Sequence, residues 1–252
     1  MASAVAWRLH MANIKKIFMM EIAYPLAVRR EVSFCEAVHE RHKEIEGVGA
    51  ILAKDPEKIQ SIWRNGKIAV VVDPTWKTLS RIRPDSVIDA ILAKKNLGTT
   101  LEDASLVIGL GPGFTAGQDV HTVIETNRGH NLGRIIMSGE AAPNTGIPGP
   151  VSGFAAERVL RAPADGRFAA QRAIGDHVEK GEVIGLVEGI EVLARIDGVL
   201  RGLIRPGSQV SRKLKIGDID PRGDAGYCYT LSDKARAIAG SVLENIMRVY
   251  NH

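Results

Sequence analysis

Short apolar runs alternate with amphipathic stretches through the first 110 residues of the chain. Strands buried on both faces read as continuous hydrophobic segments, so the apolar runs predict strands at 16–22, 45–53, 68–72 and 105–110. Apolar residues at helical spacing predict helices at 2–12, 55–65 and 84–95. Strands that alternate with helices indicate an α/β fold with a mostly parallel, Rossmann-like sheet. We assign residues 1–150 to this domain.

The order of elements at the start of the chain is unusual, because a predicted helix precedes the strand Lys16–Ile22. In a doubly wound fold a first strand and a glycine loop come before this helix, and an acidic residue after the second strand holds a ribose. Glu21 occupies that position. We therefore expect one strand and one loop to be missing before Ala2, through truncation or a misplaced start. Lys16–Ile22 and Val107–Leu110 would then have unpaired edges, giving a dimer or a less stable chain.

The second half of the chain contains an internal repeat of short strands and glycine turns. Gly166 recurs as Gly198 and Gly175 recurs as Gly207, each 32 positions later. This pattern resembles the barrel-sandwich hybrid, the fold of biotinyl and lipoyl carrier domains. We assign residues 151–225 to such a β-rich domain and predict that a C-terminal helix within 226–252 packs back on the core.

Carrier domains present a modified lysine on the hairpin between the two repeats. Here the hairpin Glu188–Val192 contains no lysine, and none lies between Lys180 and Lys213. Attachment of biotin or lipoate at that position is therefore excluded, and the repeat is interpreted as a scaffold or docking module.

Composition narrows the class of protein. The 252 residues are 45% hydrophobic and 25% charged with a net charge of +4, which is typical of a globular protein and permits an anionic small ligand without indicating nucleic acid binding. Two distant cysteines, Cys35 and Cys228, indicate neither a disulfide framework nor a zinc site. We find no membrane span or signal peptide, and we expect a cytoplasmic protein.

Asp218 and Asp220 are interpreted as solvated turn residues rather than metal ligands.

The densest chemistry follows the strand that ends at Leu110. Four glycines within Gly109–Gly117 predict an irregular loop whose backbone N–H groups converge on an anion such as phosphate. Polar residues follow directly, and Arg128 would add a charge-assisted hydrogen bond. We predict that His121, Glu125 and His130 act as polar or proton-transferring groups. The predicted cofactor-binding residues are Gly111, Gly113, Phe114, Thr115, Ala116, Gly117, Asp119, Asn127 and Arg128, joined by Glu21 and by Asn144 and Thr145 of the Pro- and Gly-rich boundary Pro143–Pro150.

Several segments together resemble the YqeB-type proteins of the selenium-dependent molybdenum hydroxylase system. These are Met20–Ile22, Pro25–Arg30, Gly109–His130, Asn144–Gly149 and Lys215–Arg222. The resemblance implies an accessory protein that matures a molybdenum hydroxylase and acts on the molybdenum cofactor (molybdopterin) or on a nucleotide-like ligand. Its implied partners are the hydroxylase or its maturation factors, and a homo-oligomer fits the expected open sheet.

Two other functions remain open from the sequence. One is an NAD(P)-dependent oxidoreductase, favoured by the α/β alternation and by Glu21, although no Gly-x-Gly-x-x-Gly follows a first strand. The other is a non-catalytic scaffold in which the repeat domain docks a hydroxylase.

Overall fold

The computed structural model describes residues 1–146 and 149–251. The helices are α1 (Ala2–Met11), α2 (Ala37–Glu40), α3 (Ile59–Arg64), α4 (Lys77–Ile82) and α5 (Asp233–Tyr250). The strands of the first half are β1 (Phe18–Glu21), β2 (His42–Ile45), β3 (Val48–Ala53), β4 (Ile68–Val72), β5 (Ser86–Asp89), β6 (Leu106–Leu110), β7 (Thr115–Ala116), β8 (Thr122–Ile124), β9 (Ile135–Ile136) and β10 (Gly139–Glu140). Those of the second half are β11 (Val159–Arg161), β12 (Gly166–Ala170), β13 (His177–Val178), β14 (Val183–Val187), β15 (Ile190–Leu193), β16 (Gly198–Leu203), β17 (Gln209–Val210) and β18 (Lys215–Asp220).

The chain folds into two compact units that are interleaved in sequence. The α/β unit comprises 1–23, 48–145 and 231–252, and the β unit comprises 24–47 and 146–230. The domains predicted from the sequence are consecutive segments, 1–150, 151–225 and 226–252. Within the described helices, none combines the length and hydropathy needed to cross a bilayer.

The α/β unit contains two parallel arrays of strands rather than one continuous sheet. In the first, β1 and β3 flank β4, and Phe18–Glu21 lies in register with Ala69–Val72. In the second, β5 and β8 flank β6 in parallel, and β9 closes the array in the antiparallel sense. The α/β class predicted from the hydrophobic pattern is therefore confirmed.

Helices α1 and α5 pack against each other in this unit, and α5 also contacts β6 and β8. The guanidinium of Arg236 lies 5.1 Å from the centre of the Trp7 ring. Asn245, buried on α5, donates a hydrogen bond to the Thr122 hydroxyl of β8. At the end of α5, the Tyr250 hydroxyl donates to the Asp85 carbonyl at 2.6 Å.

The predicted helix at 84–95 is wrong, because Ser86–Asp89 forms β5 instead. Val87 and Ile88 pair in parallel with Val107 and Ile108 of β6. The connection from Asp89 to β6 then runs without an α-helix, and Lys94 within it has a φ of +66°. Apolar residues at 87, 88, 91 and 92 fit a helical stripe equally well, but pairing with a buried neighbouring strand determines the structure.

The β unit contains two four-stranded antiparallel sheets, ordered β11-β18-β16-β13 and β15-β14-β12-β17. A shared hydrophobic core includes Phe168, Ile184, Leu200 and Ile216, all fully buried. The sequence repeat is also a structural repeat, because the two copies exchange strands. Gly166 pairs with Val210 of the second copy, and Gly198 pairs with Val178 of the first.

Candidate functional site

The predicted ligand loop begins at the carboxyl end of β6, in the α/β unit. It forms the short strand β7, which pairs with β10, and then returns into β8. A second loop, 125–134, leaves the carboxyl end of β8 and leads to β9. In open α/β sheets, ligands bind at this edge. The structure therefore brings the residues that follow Leu110 and those that follow Ile124 to the same edge of the sheet, whereas His121 lies beside Val107 at the amino end of β8.

The amide groups of the glycine loop are largely used within the protein. The Gly111 N–H donates to the Ile124 carbonyl at 2.9 Å, and the Gly117 N–H donates to the Val120 carbonyl at 2.8 Å. The Asp119 carboxylate accepts from the Thr115 N–H at 2.8 Å. These contacts make the loop a rigid support and leave few amides to form an anion-binding nest.

Close packing explains two glycines of this loop. A Cβ on Gly111 would lie 2.5 Å from the Thr126 hydroxyl oxygen, and one on Gly113 would lie 2.6 Å from the Lys95 amide nitrogen. Phe114 and Ala116 are buried in a small core with Val107 and other apolar residues. Their side chains therefore anchor the loop to the sheet.

Glu125 is buried, with 5% of its surface exposed. Its carboxylate accepts from the Asn127 N–H at 2.6 Å and from the Ala142 N–H at 2.7 Å. Carboxylates that accept two backbone amides fix the loops that supply them. Glu125 thus joins the loop after β8 to the segment after β10.

The two predicted histidines lie in different surroundings. His121 is half-buried, and its Nδ1 accepts from the Val107 N–H at 3.0 Å. His130 is exposed in the turn after β8. Within the described residues, no hydrogen bond joins any two of His121, Glu125 and His130.

A group of three cations, which we call the cation cluster, lies beside this edge: Lys94, Arg128 and Lys234. Arg128 makes a two-pronged ion pair with Asp233 at 2.9 and 3.1 Å. Burial lowers the pKa of the Lys234 ammonium and the charges of Arg128 and Lys94 lower it further, whereas the Glu125 and Asp233 carboxylates partly offset this effect. Lys234 lies in the first turn of α5, which Ser232 caps, so the positive end of a helix dipole adds to the field.

Of the three residues in the cation cluster, Arg128 alone was predicted from the sequence as a ligand-binding residue. Lys234 is on the last helix and Lys94 is in the connection between β5 and β6. Solvated lysines in these settings are common, and only the folded chain shows that the three side chains interact.

The remaining predicted ligand residues lie elsewhere on the α/β unit. Glu21 ends β1 and is half-buried, and burial raises the pKa of its carboxyl group. Asn144 and Thr145 are exposed, and the predicted motif Asn144–Gly149 includes Ile147 and Pro148, which lie outside the described residues. Asp89, which was not predicted from the sequence, ends β5 and accepts a hydrogen bond from the Thr99 hydroxyl at 2.7 Å.

The interpretation of Asp218 and Asp220 as solvated turn residues is wrong. Both lie in β18 and are buried, with 2% and 0% exposure. Arg158, Arg201 and Lys215 form ion pairs with Asp218. Burial alone raises the pKa of the Asp218 carboxyl, but these three cations together hold it below its usual value.

Asp220 belongs to the same ionic network. It accepts from Arg201 at 2.8 Å and from Arg222 at 2.6 Å. Within the described residues, no group of three or more His, Cys, Asp or Glu side chains is arranged to hold a metal ion. The ion pairs of the two carboxylates link β18 to Arg158, Arg201 and Arg222 within the β unit.

Comparison with known proteins identifies one relative along nearly the whole chain. The chain is 47% identical over 246 residues to the uncharacterized protein YqeB of Escherichia coli K12. The two proteins are homologous. The match covers 98% of this chain but 45% of YqeB, so the chain spans about half the length of that relative. This supports the predicted resemblance to YqeB-type proteins, whereas the link to a selenium-dependent hydroxylase stays a prediction.

No protein-family model matches the chain. Among solved structures, an aspartoacylase family protein of Mesorhizobium loti is 16% identical, with a TM-score of 0.25 over 34% of this chain and 27% of that one. The product-bound ectoine utilization protein EutE (DoeB) of Ruegeria pomeroyi is 19% identical, with a TM-score of 0.24 over 33% of this chain and 27% of that one. Structural similarities this weak do not allow a function to be assigned to this chain.

Proposed function

We propose that this protein is a cytoplasmic accessory factor that matures a selenium-dependent molybdenum hydroxylase. In this role it binds an anionic cofactor, molybdopterin-like or nucleotide-like, at the edge formed by residues 109–130. The homology with YqeB supports the family resemblance from which this pathway is taken. The hydroxylase and its other maturation factors are the proposed partners.

The observation that carries the anion site is the cation cluster. Three positive charges of Lys94, Arg128 and Lys234 interact, and their mutual repulsion contributes to the lowered pKa of Lys234. The carboxylates of Glu125 and Asp233 act in the opposite direction on this pKa, so three cations face two carboxylates and one positive charge is left without a counter-charge in this group. A phosphate placed here would relieve the repulsion and gain from the α5 dipole.

This site differs in one respect from the site predicted by sequence. The cations supply the binding energy, and the glycine loop supplies rigidity, because its amides are bonded within the loop. Asp233 holds the Arg128 guanidinium in a fixed orientation, which lowers the entropy lost on binding. In this proposal Glu125 is a positioning residue, and the exposed side chain of His130 is assigned to proton exchange with the ligand.

The test is calorimetric titration with AMP, CMP and molybdopterin. We expect at least one to bind, with an affinity that falls as salt rises. Lys234→Met should raise the Kd about tenfold, the loss of one charge-assisted contact. Lys213→Met is the matched control because it removes the same charge from the β unit, and it should leave the Kd unchanged. Absence of binding by all three compounds to the folded protein would refute the anion site.

The pathway needs a separate measurement. Deleting the gene should lower selenium-dependent hydroxylase activity in cell extracts, and expression of the intact gene should restore it. If a gene that encodes Lys234→Met restores full hydroxylase activity, the protein acts in the pathway without needing the cation cluster. Unchanged hydroxylase activity after deletion would refute the pathway.

A second role, as a docking module, is favoured by the topology of the β unit. The exchanged strands and the two packed sheets are the arrangement expected of a barrel-sandwich hybrid. The Glu188–Gly189 turn that joins β14 to β15 carries exposed Ile190 instead of a carrier lysine. We therefore propose that this unit has the carrier-domain fold without its chemistry, and Ile190→Asp should weaken capture of the hydroxylase if the hairpin docks it.

A further inference from the structure

A cluster of charged side chains surrounds the buried carboxylates of Asp218 and Asp220 in the β unit. Asp218 forms ion pairs with three cations, and Asp220 forms ion pairs with two, one of which is shared. A fifth cation interacts electrostatically with both carboxylates. We call this group the arginine cluster. Besides the two carboxylates, it contains Arg29, Arg158, Arg201, Lys215 and Arg222.

Positive charge exceeds negative charge in the arginine cluster. If Arg222 is left out of the count, four cations still share two carboxylates. Burial and the charge of Arg201 lower the pKa of the Arg29 guanidinium to about 10, although the two carboxylates partly offset this effect. Burial also lowers the pKa of the Lys215 ammonium. Excess charge that is withdrawn from water is costly unless a counter-charge meets it, so the cluster favours an anion.

Two hydrogen-bond donors of the arginine cluster have no acceptor. The Nε atoms of Arg29 and Arg158 are buried and make no hydrogen bond to any part of the chain that the structure describes. Arg29 donates through Nη2 to the Tyr227 and Thr230 carbonyls at 2.7 and 3.1 Å. Arg158 donates through Nη2 to the Gly149 carbonyl at 3.1 Å. Buried donors are normally satisfied in folded proteins, so a ligand with several acceptor oxygens would complete this network.

The backbone is shaped to bring guanidinium groups together here. The register of β16 and β18 shifts between Leu200 and Gly202, so Arg201 is the extra residue of a β-bulge, a feature that redirects a side chain. A Cβ on Gly202 would lie 2.7 Å from the Val28 carbonyl oxygen and 3.1 Å from Cδ of Arg29. Glycine at this position therefore allows the segment that carries Arg29 to pack directly on β16.

The arginine cluster extends from the interior of the β unit to its surface. The side chains of Arg158 and Arg201 are 10% and 11% exposed, whereas those of Lys215 and Arg222 are 40% and 41% exposed. Guanidinium groups bind phosphate through paired hydrogen bonds. A phosphate monoester carries about two negative charges near pH 7 and three acceptor oxygens, which matches both the excess charge and the unsatisfied donors.

We propose that the arginine cluster binds the phosphate group of a small phosphorylated ligand. Lys215 and Arg222 lie at the entrance, and Asp218 and Asp220 hold the guanidinium groups in place before the ligand arrives. The bound phosphate draws the inner guanidinium groups toward it and supplies acceptors for their free N–H groups. The proposal does not depend on the anion site of the α/β unit, because every residue of the arginine cluster belongs to the β unit.

The test is calorimetric titration of the full chain with inorganic phosphate and with ribose 5-phosphate. The protein carries Lys234→Met, which weakens the anion site of the α/β unit. We expect both compounds to bind and uncharged ribose not to bind. Phosphate at about 100 times its Kd should raise the urea midpoint of the β unit, followed by circular dichroism, by about 1 M. The tryptophan fluorescence transition should not move, because all 3 tryptophans lie in the α/β unit.

Substitutions of Lys215 test whether the binding involves this cluster. Lys215→Met removes the charge at the entrance and leaves Asp218 its ion pairs with both arginines, so the protein should fold and its Kd for phosphate should rise about tenfold. Lys215→Arg should retain the affinity of the parent. Lys213→Met is the matched control, since it removes the same charge two positions earlier, and it should leave the Kd unchanged.

Three results would overturn the proposal. The first is absence of binding by both phosphate compounds to the folded protein. The second is an equal rise of the urea midpoint in sodium chloride of the same ionic strength, which would show general screening of charge. The third is a Kd for phosphate that is the same in Lys215→Met and in the parent protein.

Discussion

The buried carboxylate of Glu125 gives the sharpest test of the candidate site, because the sequence predicted catalysis and the structure shows two backbone contacts. In Glu125→Gln, the amide oxygen retains one of the hydrogen bonds from Asn127 and Ala142. The side-chain NH₂ then faces the other backbone donor. Losing one charge-assisted bond costs about 1.5–3 kcal/mol, and a buried unsatisfied donor adds about 1 kcal/mol. We expect the substitution to destabilise the α/β unit by about 2–4 kcal/mol.

Tryptophan fluorescence isolates that unit. Trp7, Trp63 and Trp76 all lie in its segments, and the chain has 3 tryptophans in total. Urea unfolding followed by this signal therefore reports the α/β unit without a contribution from the β unit. The midpoint should fall by about 1–2 M if the slope is about 2 kcal/mol/M.

His130→Gln is the matched control, because it also introduces glutamine after β8 but at an exposed position. Its midpoint should stay within the error of the parent protein. A Glu125→Gln midpoint equal to that of the parent would show that the two amide contacts contribute nothing, and the assignment of Glu125 as a positioning residue would then be abandoned.

Three further predictions concern the β unit. Asp218→Asn should destabilise the β unit by about 3–5 kcal/mol, because Arg158, Arg201 and Lys215 lose their buried counter-charge. In urea unfolding, circular dichroism should then show a transition at lower urea concentration that tryptophan fluorescence does not show. The carboxyl pKa values of Asp218 and Asp220 are lowered by their cations despite burial, so their stabilisation is complete above the unfolded pKa of about 3.9 and is lost as pH falls through the folded values. Urea midpoints of the β unit should hold from about pH 7 to 5 and fall below about pH 4, whereas a constant midpoint would contradict the ionic network. Burial raises the pKa of the Cys228 thiol, so iodoacetamide should modify it more slowly than half-exposed Cys35 in the native protein and equally fast in urea.

Local sequence patterns correctly predicted those helices and strands whose formation does not depend on residues far away in the chain. The aliphatic run Ile68–Val72 is β4, and the stripe after Ser232 is α5 with its serine cap. The segment 84–95 failed because its spacing fits both a helix and a buried strand, and the choice depends on β6. A tight glycine loop was also predictable, but the direction of its amides depends on Asp119 and on the fold around it.

The charged sites required contacts that sequence spacing does not reveal. Arg128 meets Asp233 across a separation of 105 residues, and Arg158 meets Asp218 across 60. Read singly, each of these residues is an ordinary surface charge. Their pairing follows from the sheet order and from the placement of the last helix, which no local window contains.

The strand exchange in the β unit has a consequence for how this part of the chain folds. The first copy of the repeat contributes β12 to one sheet and β13 to the other. The second copy contributes β17 to the sheet that contains β12 and β16 to the sheet that contains β13. Because each sheet contains strands of both copies, we expect the first copy to have no stable folded form until the second has been synthesised. Contacts such as Gly166 with Val210 join distant parts of the chain, and non-local contacts of this kind slow folding. The same geometry describes a two-fold dimer of half-length chains, which is the arrangement that a tandem gene duplication would join into one polypeptide.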